Sequence, residues 1–386
     1  MSTASRLRLF YFAYYGAVGA NLPFFAAYLR GLGFSGEQIG SVQMIGPLLA
    51  APVALAWGAV ADRLRAPGRA LALASTWSLG AAAFLPWART PLALGAVVLL
   101  QSLAERAVVP LADAVTLEWT RRGPGAEYTR IRLFGSLGFI ALAQGLGLLL
   151  AARHDRPADR LVPWAMALCV AGYALAARRL DTPGSTGPRP RARDALALLR
   201  DRRLLALLAA CAVHWGACAP FHLLFGVFVR DLALPASVTG LAMTAGVGSE
   251  VLALLAYPRL ARRFGARVVF AVAFAGTALR WALLARAGSA PALVLLQLLH
   301  ALTFGLFWGA SMQAMGALVP SPLRATGQAL YAAVVFGAGN AVGYQLAGWG
   351  YDRFGGVGPL FGWAAVFELV PLALSVVLAA PHRDQI

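Results

Sequence analysis

The sequence contains no lysine: all 33 basic side chains are arginine, set against 16 acidic ones, and charged residues make up only 13% of 386. A water-soluble domain of this size needs roughly a quarter of its residues charged to cover its surface, so the shortage excludes that class. Hydrophobic residues reach 60%, which excludes a disordered chain as well. Cysteine is scarce. The three present, Cys169, Cys211 and Cys218, all fall inside apolar runs, which excludes a disulfide scaffold and reads as buried thiols. No nucleophile–base pair, phosphate-binding loop or Cys/His/carboxylate cluster with ligand spacing is visible. The expectation is therefore no enzyme, no metal and no cofactor.

What the chain does have is long apolar runs. A helix crossing the hydrocarbon core needs about 20 mostly apolar residues. Twelve such stretches centre on residues 8–29, 38–60, 70–88, 92–113, 131–151, 162–178, 204–228, 237–257, 268–286, 291–316, 326–349 and 360–380. The first is too long for the apolar region of a signal peptide and lacks its cleavage signature. The 41 glycines and 22 prolines scattered through the runs suit lipid-embedded helices. Spacings such as Gly305/Gly309 and Gly339/Gly343 would let helix backbones approach closely. The predicted fold is all-α, a polytopic membrane protein of twelve transmembrane helices.

The net charge of +17 suits either a nucleic-acid binder or a membrane protein with basic loops. Position decides. With the N-terminus inside, 23 of the 33 arginines fall in seven inner segments and eight in outer loops. Arg106 and Arg280 alone lie within spans. This asymmetry places both termini in the cytoplasm. It predicts a multi-pass protein of the inner, cytoplasmic membrane, partnered by the lipid bilayer and by no nucleic acid.

Residues 181–203 form the longest polar interruption, with Pro183, Gly184, Pro188 and Pro190 beside an arginine-rich run, which reads as a cytoplasmic linker. The predicted domains are 1–180, an N-terminal six-helix bundle, and 204–386, a C-terminal one. The halves also match at a constant offset of 200. Arg30, Gly40, Gly46, Leu55, Ala61 and Arg63 recur as Arg230, Gly240, Gly246, Leu255, Ala261 and Arg263. Two parallel six-span repeats are an architecture of one large transporter class.

The loop after the second span reads Gly58-Ala-Val-Ala-Asp62-Arg63-Leu-Arg65-Ala-Pro-Gly-Arg69. It resembles the glycine–aspartate–basic motif that the major facilitator superfamily carries between its second and third spans. The resemblance implies two pseudo-symmetric bundles and a conformational role for Gly58, Asp62 and Arg63. The second-half counterpart keeps the basic residues but has Arg262 where the aspartate would stand. Further segments, among them Leu22-Pro-Phe-Phe, Pro110-Leu-Ala-Asp113-Ala, Arg130-Ile-Arg132-Leu-Phe-Gly135, Gly248-Ser-Glu250-Val, Leu279-Arg280-Trp281 and Gln297-Leu-Leu-His300, resemble the lactose permease and nucleoside proton symporter-like branch. Within it they resemble the phenylpropionic acid permease type.

Ionisable side chains at membrane depth cost about 2.5–3.5 kcal/mol on insertion scales, so they face a cavity or a partner. Those expected here are Glu105 and Arg106 in span four, His214 and His222 in span seven, Glu250 in span eight, Arg280 in span nine, His300 in span ten and Glu368 in span twelve. Glu250, Arg280 and His300 occupy three successive spans and form the predicted proton-coupling group. The alternative for them is a static ion pair. The trio resembles the coupling region of lactose permease, except that Thr303 stands where a second glutamate is expected. Predicted substrate contacts are Arg106, Glu105, Arg280, Asn21, Phe304, Trp308, Gln313 and Asn340, with packing the competing role for the aromatics.

These observations predict a monomeric secondary transporter that takes up a small organic solute with protons by alternating access. The two intramembrane arginines favour an anion, and the resemblance implies an aromatic carboxylic acid. A sugar or nucleoside symporter and an efflux antiporter are the alternatives, although Gly135–Gly147 lacks the proline expected of the efflux branch.

Overall fold

Helix termini follow from local chemistry. In the computed structural model, which describes residues 2–122, 128–180 and 198–378, the Ser2 hydroxyl accepts the Ser5 N–H to start α1 (Thr3–Gly31). Ser35 and Gln38 form a reciprocal capping box at the start of α2 (Gly36–Leu64). Then come α3 (Pro67–Ala82), α4 (Pro91–Arg122), α5 (Tyr128–Ala152) and α6 (Leu161–Ala177). The second half holds α7 (Arg202–Asp231), α8 (Ala236–Gly265), α9 (Arg267–Leu284) and α10 (Ala290–Leu318), followed by α11 (324–354) and α12 (358–378). Asp201 starts α7 by accepting the N–H groups of Arg203 and Leu204.

Among the described residues, twelve helices stand where the twelve apolar runs predict them, and no strand is present, so the fold is all-α. Among the described residues, eight helices are long and apolar enough to cross a membrane by length and composition. α3 and α6 are shorter, at 16 and 17 residues. Large apolar side chains such as Leu92, Leu168, Leu252 and Leu255 are 66–85% exposed, a surface that suits hydrocarbon and not water. The linker predicted at 181–203 lies outside the described residues from 181 to 197.

The chain divides into two compact units, Met1–Pro188 with Leu223–Leu241, and Arg189–His222 with Ala242–Ile386. The C-terminal end of α7 and the start of α8 thus pack with the first six helices. Arg230 Nη1 donates to the Ala27 carbonyl at 3.2 Å, and the Ala236 N–H donates to Asp155 Oδ1 at 3.1 Å. In the first unit α1 runs against α5 and α6. A Cβ at Gly19 would stand 2.5 Å from the Phe139 carbonyl oxygen, so glycine is required for the α1–α5 approach.

In the second unit several helices are broken, two of them beside a proline. α7 is interrupted at Cys218, two residues before Pro220, whose missing N–H cannot bond back one turn. α12 is interrupted at Glu368, three residues before Pro371. α10 tightens over Leu296–Leu299 and widens into a π-helical turn at Ala301–Leu306. α11 contains a second π-helical segment, Ala332–Gly339. Such turns cluster at functional sites. The two glycine spacings do bring backbones together: Gly305 meets Ala253 and Glu250 of α8, and Gly339 and Gly343 meet Ala212 and Gly216 of α7.

Candidate functional site

The second unit links several of its intramembrane polar residues in one chain of polar contacts. Arg280 of α9 is wholly buried. Its Nη1 donates to His300 Nδ1 at 3.1 Å and to Thr303 Oγ1 at 3.0 Å, and its Nη2 donates to Gln297 Oε1. The guanidinium carbon lies 4.4 Å from the Phe221 ring centroid and 4.6 Å from that of Trp281. A planar cation between aromatic faces keeps part of the stabilisation that burial removes.

The donors define a tautomer. A guanidinium only donates, so His300 Nδ1 is bare and the ring hydrogen sits on Nε2. That nitrogen faces Glu250 Oε2 at 3.5 Å. His300 is thus a neutral bridge between the arginine and the glutamate. Exposure falls along the chain: the Glu250 side chain is 20% accessible, His300 11%, and Arg280 none. Structure therefore brings the predicted trio together, with Glu250 at its accessible end.

The chain continues where the sequence reading did not follow it. The carbonyl of Thr303, inside the π-helical turn, accepts His214 Nε2 at 3.0 Å, and His214 Nδ1 stands 2.9 Å from Glu368 Oε2. Cys218 Sγ lies 3.9 Å from the same Nε2. His214, Cys218 and Glu368 place three donor atoms within 4.8 Å of one another. Both nitrogens of His214 are already engaged, so this is a hydrogen-bonded cluster and not a vacant coordination sphere. His222, the other histidine of α7, packs on Trp215 with ring centroids 5.0 Å apart.

Phe304 and Trp308 continue the face of His300 along α10 as a stacked ladder, with centroid separations of 5.9 and 6.1 Å. Trp215 and Phe336 close on it from α7 and α11. Gln313 is exposed and accepts the Tyr257 hydroxyl. The Oδ1 of Asn340 is buried with no hydrogen-bond partner among the described residues. A separate hollow of about 590 Å³ between α7, α11 and α12 is apolar. Its Val342, Leu346, Trp349, Trp363 and Phe367 belong to the exposed apolar surface, so it faces lipid.

In the first unit, adjacent residues Glu105 and Arg106 point about 100° apart on α4, yet their long side chains fold together, Nε to Oε2 at 3.1 Å, and Tyr14 donates to Glu105 Oε1 at 2.7 Å. The Arg106 guanidinium lies on the bare backbone of Gly46, where a Cβ would come within 2.5 Å of Nη2. A Cβ at Gly246, its partner at offset 200, would stand 3.5 Å from the His300 ring. The two glycines of the repeat thus mark equivalent positions opposite Arg106 and His300. Asn21 is half-buried on α1.

A second cluster was missed. Arg132, counted among the inner-loop arginines, lies within α5 and donates to the Tyr15 hydroxyl. Its guanidinium stands 4.2 Å from the Tyr15 ring centroid and 3.9 Å from Asp113. Asp113 accepts from Tyr11 at 2.6 Å and Tyr128 at 3.0 Å. The signal available was spacing: Asp113 and Arg132 both flank spans near tyrosines. Gly58, Asp62 and Arg63 occupy the last turns of α2, which ends with Arg65 in the left-handed region at φ 49°.

Comparison with known proteins bears on this arrangement. The model of the MFS_1 like family matches residues 4–361. The chain is 28% identical over 380 residues to a maltose permease of Geobacillus stearothermophilus, covering 97% of this chain and 94% of that one. It is also 28% identical over 365 residues to a probable 3-phenylpropionic acid transporter of Escherichia coli, covering 90% and 91%. Among solved structures, the nucleoside transporter NupG superposes with a TM-score of 0.86 at 19% identity, over 99% of this chain and 100% of that one.

Proposed function

Because the chain belongs to the MFS_1 like family of the major facilitator superfamily, and so is a multi-pass membrane transporter and not an enzyme, we propose that it is a proton-coupled importer of a small aromatic carboxylic acid. It works by alternating access, as a monomer in the cytoplasmic membrane with both termini inside. The observation that supports this reading most is the Glu250–His300–Arg280 chain. Glu250 is its accessible carboxylate, and His300 passes the arginine's influence to it through a fixed tautomer. When Arg280 holds Nδ1, the Nε2 hydrogen points at Glu250 and favours the carboxylate. When Arg280 lets go, the imidazole can turn and Glu250 takes a proton. The coupling proton resides on Glu250, with His300 as the group that positions it.

In the first unit Arg106, Glu105 and Tyr14 are the candidate polar contacts for the solute; in the second, Phe304 and Trp308 are the candidate aromatic ones. Arg280, sealed by Gln297, Thr303 and two rings, acts through His300. Asn21, Gln313 and Asn340 are placed as lesser contacts, and Gly58, Asp62 and Arg63 as a conformational latch. A sugar is the second reading, favoured by the similarity to a maltose permease.

The test is uptake of labelled 3-phenylpropionate by protein reconstituted in vesicles with an acidified exterior. Accumulation should collapse with a protonophore, and Glu250→Gln should abolish accumulation while preserving solute exchange. Accumulation that ignores the proton gradient would defeat the symport assignment. Competition by maltose but not by benzoate would transfer the assignment to a sugar.

A further inference from the structure

We propose that His214 and Glu368 form a second proton-holding site, separate from Glu250, where three interrupted helices of the second unit meet. The pair is dry, with both side chains at 0% exposure. Counting hydrogens shows what it holds. Nε2 of His214 faces a main-chain carbonyl at 3.0 Å, and a carbonyl only accepts, so Nε2 carries a hydrogen. The contact of 2.9 Å between Nδ1 and Glu368 needs another, resident on either the imidazole or the carboxyl. The pair thus shares two hydrogens, one more than a neutral imidazole and an ionised carboxylate hold between them. Loaded, it is neutral as a unit. Unloaded, it is a buried anion with one acceptor facing another, a state that burial penalises strongly.

The backbone supports the same conclusion independently. α7 breaks at Cys218, four residues after His214, and α12 breaks at Glu368 itself. The carbonyl that His214 uses belongs to a π-helical turn of α10. Irregular backbone inside a membrane is tolerated where it is buried in protein or serves a cavity, and transporters place ion sites at broken helices. Here all three irregularities converge on one acid–base pair.

Thr303 joins this site to the rest. Its carbonyl takes His214, while its hydroxyl takes Arg280 at 3.0 Å. The other titratable or charged groups reaching the pair, among the described residues, are Cys218 on α7, Arg280 on α9 and, behind Thr303, His300 on α10 with His222 on α7. The rings of Phe307 and Phe274 close its sides at 4.1 and 5.4 Å from the imidazole centroid. If Arg280 leaves His300 and presses toward Thr303, its charge replaces the proton's. One proton departs to solvent, the imidazole and carboxylate remain, and no other bond changes.

The experiment is pH-difference infrared spectroscopy on the full chain in lipid vesicles, without solute, in a Glu250→Gln background. Between roughly pH 5 and pH 10, a window spanning the ordinary imidazole range, a one-proton change in carboxyl and imidazole bands is expected. It should vanish in both Glu368→Gln and His214→Gln. A signal that neither variant alters, or no titration in that window, overturns the proposal. Should Glu368→Gln fail to fold, Glu368→Asp keeps the acid: a displaced band supports the site, and an unmoved one refutes it. This readout is separate from uptake, so a failure of the Glu250 assignment would leave it standing.

Discussion

Replacing Gln297 by leucine tests whether the buried arginine is held as the geometry says. Arg280 has three side-chain acceptors: Gln297 Oε1, Thr303 Oγ1 at 3.0 Å and His300 Nδ1 at 3.1 Å. Its Nε already lacks a partner among the described residues. Leucine fills a similar volume but removes one acceptor, and it also removes the donor that ties Gln297 Nε2 to the Leu293 carbonyl at 2.9 Å. A hydrogen bond to a charged group contributes about 1.5–3 kcal/mol. At about 1.4 kcal/mol per tenfold, that shifts the opening equilibrium of the second unit by roughly 10- to 150-fold. Cysteine labelling can read it, because Cys211 and Cys218 are buried at 0% in the second unit while Cys169 is half-buried in the first. In a Cys169→Ser background, the labelling rate tracks the open population when closing is fast. Gln297→Leu should raise that rate by about one to two powers of ten. Gln297→Glu, which offers a charged acceptor, should bring it back to or below the parent value. If Gln297→Leu labels within about twofold of its parent, well under the effect of one such bond, Gln297 does not hold the cation and the chain built on Arg280 is wrong.

Three further outcomes follow from other contacts. Gly46→Val should push the Arg106 guanidinium off α2 and raise the apparent Km for 3-phenylpropionate about tenfold, the worth of roughly 1.4 kcal/mol, with gradient dependence retained; an unchanged Km would separate Arg106 from the solute. Gly138→Ala would drive a methyl into the Phe12 carbonyl and should cost about 1–3 kcal/mol of overpacking, seen as a lowered melting temperature that a second change on α5 away from α1 does not produce. Outside the membrane, partial burial pushes the Asp159 carboxyl up, but the Arg153 guanidinium at 2.6 Å and the Leu161 N–H at 2.9 Å outweigh it and set it below its ordinary value. Its stabilisation is therefore present above the unfolded carboxylate range, near pH 4, and lost as pH falls through the depressed value. Asp159→Asn should lower the melting temperature at neutral pH, and the gap to the parent should close in acid; a gap that persists in acid would mean the charge is irrelevant there.

Helix count and placement were legible because the bilayer imposes a length and a hydrophobicity that composition alone can reveal. The trio Glu250, Arg280 and His300 was legible for the same reason, since each is conspicuous in an apolar run. What escaped was partnership. Arg132 looked like one more inner-loop arginine, because the positive-inside rule counts charges without asking which way a side chain points. Glu105 and Arg106 stand about 100° apart on an ideal helical wheel, yet two long side chains close the gap. His214 and Glu368 each stood out in an apolar run, but nothing in the spacing linked them, since they lie 154 positions apart on α7 and α12. The signals that would have linked them were Pro220 and Pro371, which break both helices near the same pair.

The internal repeat bears on the proposed coupling. Gly46 and Gly246 were matched by sequence, and each gives its backbone face to the functional residue of a neighbouring helix, Arg106 in one unit and His300 in the other. The architecture is shared; the charge arithmetic is not. In the first unit each intramembrane cation lies beside its own carboxylate, Arg106 on Glu105 at 3.1 Å and Arg132 near Asp113 at 3.9 Å. In the second, Arg280 binds neutral acceptors, and its nearest acid along the chain, Glu250, is reached only through His300. A directly paired carboxylate resists protonation because the cation stays against it. One connected through a ring that can turn has its environment set by a single hydrogen bond. On the function proposed above, proton number therefore changes more readily in the second unit than in the first, where each cation stays against its own carboxylate.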